Sequence, residues 1–106
     1  MGVYYKAKIV VGLPVHELLG GIGKDMEWVD EGGLEELHPD LRIFTTYYDG
    51  GDDQNNIAGL EVASTEDYSN AEISLFEFDK QLAAKLHNFN EITNLKGRVY
   101  LTTVGY

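Results

Sequence analysis

Apolar and polar positions alternate along the start of the chain, with Val3, Tyr5, Ala7, Ile9 and Val11 set against Tyr4, Lys6, Lys8, Val10 and Gly12. A period of two marks a β-strand with one apolar face. Pro14 then sits where a first helical turn tolerates a missing amide, and Val15, Leu18, Leu19 and Ile22 follow at i, i+3, i+4 and i+7. This helix is expected to be short or broken near residue 20, because Gly20, Gly21 and Gly23 each cost it about 1 kcal/mol relative to alanine. Lys24 to His38 carries no clear period. Met26, Trp28 and Val29 offer a partial apolar face, Gly32 and Gly33 interrupt it, and Leu34 to Leu37 allow one more turn before His38-Pro39 ends it.

Alternation returns at Leu41, Ile43, Thr45 and Tyr47, and again at Ala58, Leu60 and Val62. Between them Asp49 to Asn56 are nearly all turn formers, which predicts a hairpin with a long acidic tip. After the polar stretch Thr65 to Asn70, Phe78, Leu82, Leu86 and Phe89 line one face of a helix. Ser74 with Glu77 fits a capping box, and Asp79 is the other N-cap candidate. Asn94 to Gly97 closes that helix, and Val99 to Val104 reads as a last β-branched strand.

The order β, broken α, β, β, α, β predicts an α+β fold in a single domain, residues 1–106. Its expected architecture is a mixed or antiparallel four-stranded sheet with one to two helices on one face. The best topology is ferredoxin-like βαββαβ, with the first and third strands central. At 106 residues the chain suits one domain that buries roughly two-thirds of its unfolded surface.

Composition narrows the function classes. There is no cysteine, so neither disulfides nor thiolate chemistry is available to the chain. No apolar run approaches the roughly 18 residues of a membrane span, and Met1 to Val11 lacks the pattern of a secretory leader. A soluble, unprocessed, cytoplasmic protein is expected. Charge is segregated: residues 25–79 hold 16 of the 18 acids and one base, Arg42, for a net of −15. The first 24 residues sum to +2 and the last 27 to +3. Like charges so gathered do not stabilise a compact state, but they create a one-signed field that selects partners. Net −10 opposes direct binding to nucleic acid or to an anionic membrane, so the expected partner is a basic protein.

Catalytic and cofactor motifs fail on spacing. His16-Glu17 begins like a zinc-protease helix, but the second histidine position is Gly20. His38 and His87 read as turn and surface residues without a catalytic partner. Gly20-Gly-Ile-Gly-Lys24 invites a phosphate loop, yet Leu18 stands where the first glycine is needed and Asp25 where Ser or Thr is needed. Asp49, Asp52, Asp53, Asn55 and Asn56 lack the ligand spacing and closing glutamate of a calcium loop. Lys96 to Leu101 is a poor RNP1 string, on the last strand instead of the third. No cofactor, metal or catalytic residue is therefore expected.

The remaining signal lies in acids and tyrosines. Of seven tyrosines, Tyr4-Tyr5 and Tyr47-Tyr48 are adjacent, so one of each pair leaves the core face of its strand. Tyrosine beside carboxylate suits protein contact. The expected partner-binding surface comprises Glu27, Asp30, Glu31, Glu35, Glu36 and Asp40 before the second strand, Asp49, Asp52 and Asp53 at the hairpin tip with Tyr47 and Tyr48, and Glu66 and Asp67 after it. Such a surface presents a field comparable to that of DNA, with its one charge per roughly 1.7 Å of axis.

The opening Tyr4-Tyr5-Lys6-Ala7-Lys8-Ile9-Val10-Val11-Gly12, the Tyr47-Tyr48-Asp49 after a strand and the closing Phe89 to Leu101 resemble a loose group of small, uncharacterised phage and prophage accessory proteins. The resemblance covers about a quarter of the chain. It implies a role in a bacterial host cytoplasm, as an inhibitor of a nucleic-acid-binding defence enzyme of the restriction or CRISPR kind, and it carries over no catalytic residue. The alternative is a small-molecule or nucleotide-binding module with its pocket near Gly20 to Lys24.

Overall fold

The structure is a computed structural model and describes residues 5–44, 56–65, 72 and 74–105. Strand β1 (Tyr5–Pro14) runs directly into helix α1 (Val15–Ile22). Two one-turn helices, α2 (Met26–Asp30) and α3 (Gly33–Leu37), lead to β2 (Arg42–Phe44). Then come β3 (Ile57–Ser64), α4 (Leu75–Thr93) and β4 (Arg98–Gly105). The four strands form one sheet in the order β2-β3-β1-β4, and every neighbouring pair is antiparallel. The α+β class is borne out, and β1 and β3 are the central strands. The described residues differ from expectation in helix count: Lys24 to His38 holds two short helices, giving four in all.

From Val10 to Leu13, β1 is buried on both sides. Val11 and Leu13 join Ala58 and Leu60 of β3 in a core with Leu18 and Leu19 of α1, Leu34 of α3 and Phe89 of α4. All the helices therefore pack on one face. Val10, whose side chain alternates to the other face, is fully buried with Phe44 and Ile57, against Tyr100. Reading Val10 as the outer side of a one-faced strand understated this burial. The run Ile9-Val10-Val11-Gly12-Leu13 is the continuous apolar stretch of a strand enclosed on both faces.

Local chemistry sets the helix ends. Pro14 precedes α1, and the Val15 amide donates to the Asn56 carbonyl (3.0 Å), tying α1 to the start of β3. Gly23 is left-handed (φ 72°) and ends α1, with the amides of Gly23 and Lys24 both donating to the Leu19 carbonyl. Ser74 stands at the N-cap of α4 as expected, but its side chain makes no capping bond. At the other end Asn94 (φ 57°) turns the chain, and the Gly97 amide donates to Asn90 Oδ1 (2.7 Å), which fixes the entry into β4.

Gly12 and Gly59 face each other across the central pair. A Cβ on Gly12 would lie 2.2 Å from the Ala58 carbonyl oxygen, and one on Gly59 2.1 Å from that of Val11. Gly12→Ala is expected to cost about 3 kcal/mol or more, because backbone must move to admit the methyl. Gly20→Ala, with nothing within 4 Å of its Cβ in α1, is expected to stabilise by about 0.5–1 kcal/mol. Urea denaturation of the two variants checks both signs.

Candidate partner surface on α2 and α3

Five residues are too few for a helix to stand alone, so α2 and α3 depend on caps and on contact with the core. Asp25 caps α2, its Oδ1 accepting the Trp28 amide (3.1 Å). Trp28 and Val29 then turn inward onto the core cluster. Gly32 takes a left-handed turn (φ 86°), and Gly33 opens α3 directly beneath the Trp28 indole, where a Cβ would come within 2.1 Å of the ring. Leu34 completes the anchor from α3.

With Trp28, Val29 and Leu34 inward, the acids are turned outward. Glu27, Asp30 and Glu31 stand at i, i+3 and i+4, one face of α2, and all three are exposed. Glu35 and Glu36 are exposed on α3, and Asp40 is exposed in the turn beyond it. In that turn the Asp40 amide donates to His38 Nδ1 (3.1 Å), so His38 is a turn-forming residue. Among the described residues none of these six carboxylates has a cation within 4.0 Å. The acids that form ion pairs among the described residues lie elsewhere, Glu17 with Arg98 and Glu61 with Lys8, and Glu91 lies 3.3 Å from His87 Nε2. No three Asp, Glu or His side chains among the described residues come together as a metal site. Asp49, Asp52, Asp53, Glu66, Asp67, Tyr47 and Tyr48 lie outside the described residues.

The dipole of α2 bears on its acids unequally. Glu27 sits in the first turn, which favours negative charge, whereas Asp30 and Glu31 crowd the C-terminal end, which opposes it. No basic residue occupies the last turn of α2 or of α3. The glycine-rich segment has the reverse character from a phosphate cradle. It is the C-terminal end of α1, the amides of Gly23 and Lys24 are taken up by the Leu19 carbonyl, and Gly21 packs against Leu95. No helix among the described residues is long and apolar enough to cross a membrane.

No protein-family model matches the chain, and no curated protein or solved structure matches it either.

Sequence reasoning missed a second exposed feature. Leu75 and Phe76 in the first turn of α4, and Val99 and Leu101 on β4, are apolar and open to solvent. The signal was present in α4, where Leu75 extends the stripe of Phe78, Leu82, Leu86 and Phe89 one turn beyond its buried part.

Trp28 is the only tryptophan, so its fluorescence reports on the α2–α3 junction. Gly33→Ala is expected to push the indole off α3, shift its emission to the red and lower stability by about 1–3 kcal/mol. An unchanged spectrum would remove Trp28 as the anchor of this surface.

Proposed function

We propose that the protein is a non-enzymatic interaction protein whose acidic surface, centred on α2 and α3, occupies the basic groove of a nucleic-acid-binding enzyme. One observation carries this reading: the carboxylates of α2 and α3 are exposed and, among the described residues, unpaired, and two of them stand where the helix dipole opposes them. Glu27, Glu35 and Glu36 suit the first turns they occupy, but Asp30 and Glu31 are charge kept at a cost to α2, which a partner best accounts for. The anchoring of both helices by Trp28, Val29 and Leu34 supports it further, since a preorganised surface loses less entropy on binding. Resemblance to phage accessory proteins makes a bacterial host defence enzyme the expected target, met in the host cytoplasm. The tyrosines and acids at 47–53 and 66–67 are proposed to extend the same surface.

A pull-down from bacterial lysate over a salt series, with duplex DNA as competitor, tests the proposal. The expected result is capture of a nucleic-acid-binding protein that weakens steeply as salt rises and is displaced by DNA. Replacing Glu27, Asp30, Glu31, Glu35 and Glu36 together by Gln or Asn is expected to weaken capture tenfold or more, about 1.4 kcal/mol, while leaving the melting temperature unchanged or raised. Capture untouched by these substitutions would overturn the assignment of the surface.

A further inference from the structure

We infer that the free edge of β4 is a homodimerisation surface, on which two copies of the chain pair their β4 strands antiparallel about a twofold axis to form one continuous sheet. β4 is an outer strand, and all eight of its residues pair with β1 in unbroken register. Its outward backbone groups have no strand partner among the described residues. Edges of this kind are ordinarily blunted by shortness, charge, proline or a bulge. The opposite edge, β2, described over Arg42–Phe44, carries a charge in Arg42. β4 has none of these devices beyond Arg98, since Val99 to Gly105 contains no charge and no proline, and its pairing shows no shift.

The side chains add an apolar strip to that edge. Val99 and Leu101 sit opposite Val11 and Ile9, on the helix-bearing side of the sheet. α4 lies over β3 and β1 and leaves β4 uncovered, so Val99 is 48% and Leu101 78% exposed. In the antiparallel register that sets Tyr100 of one copy opposite Tyr100 of the other, Val99 of each copy stands opposite Leu101 of its partner on that side, and the two cover each other.

Charge selects a second copy as the occupant. The strand from Val99 onward is neutral, so two of them meet without opposed charges, and the antiparallel arrangement holds the two Arg98 side chains at opposite ends of the interface. The acidic segment α2–α3 leads into β2, which lies three strand spacings of about 4.8 Å from β4, beyond a Debye length of about 8 Å. One strand edge with a few side chains falls near the lower limit of a stable interface, about 1,200 Å² in total, so a weak dimer is expected, with a dissociation constant of roughly 1–100 µM.

Sedimentation velocity over a concentration series tests this on the full chain. The expected result is a monomer–dimer equilibrium in that range that persists as salt is raised, together with hydrogen-exchange protection of the β4 amides that grows with protein concentration. Leu101→Lys, an exposed substitution that the twofold axis duplicates, is expected to weaken dimerisation tenfold or more with unchanged circular dichroism. Hydrogen exchange on the unaltered chain decides the matter even if that variant folds poorly. A protein that stays monomeric at all concentrations, a dimer indifferent to Leu101→Lys, or one that dissolves in salt as a contact between acidic and basic surfaces would, would each overturn the inference. None of these outcomes depends on the α2–α3 surface, whose own test reads capture of a basic partner.

Discussion

The close approach of β1 and β3 at Gly12 and Gly59 is the constraint on which the rest of the molecule rests. Neither position has room for a Cβ, because each would meet the carbonyl of the opposite strand. On either side of this crossing stand the residues that build both cores: Val11, Leu13, Ala58 and Leu60 toward the helices, Val10 and Ile57 away from them. α1 and α4 both lie on this central pair. Close packing transmits a displacement at the crossing to both faces, since interiors have few voids to absorb it.

Charge divides into two populations with different structural roles. Glu61 pairs with Lys8 across the central strands, and Glu17 of α1 pairs with Arg98 at the start of β4. These contacts join elements distant in sequence, although partly exposed pairs add little stability individually. The carboxylates of α2 and α3 join no cation among the described residues. They ride on a short helical segment held from beneath by an indole ring, a division of labour in which apolar residues position the charge and the charge faces solvent.

Much of the fold was legible because its longest elements follow one period throughout. The stripe of Phe78, Leu82, Leu86 and Phe89 defined α4, and the left-handed Gly23 and Asn94 fall where glycine and asparagine marked helix ends. Residues 24–38 were not legible for a physical reason. A helix of five residues spans less than two turns, so no repeat develops, and what specifies α2 is one capping carboxylate and a contact between Trp28 and Gly33 that exists only once the chain is folded. Val99 and Leu101 show the complementary limit. β-branched composition marked their strand, but their exposure depends on where α4 comes to rest, which no local pattern encodes. For the surface, sequence supplied the density of acids, whereas which of them find a cation depended on the strand order that brings Arg98 to Glu17 and Lys8 to Glu61.

The placement of β1 between β3 and β4 has a consequence for how the polypeptide matures. Of the four described strands, the one made first needs as its second neighbour the one made last, and Glu17 meets Arg98 only across 81 positions. Contacts so remote along the chain slow folding, since their loop entropy must be lost before they form. Throughout synthesis one margin of an intensely apolar segment therefore stays bare, and a nascent chain stalled ahead of Arg98 presents that margin to chaperones or to its neighbours.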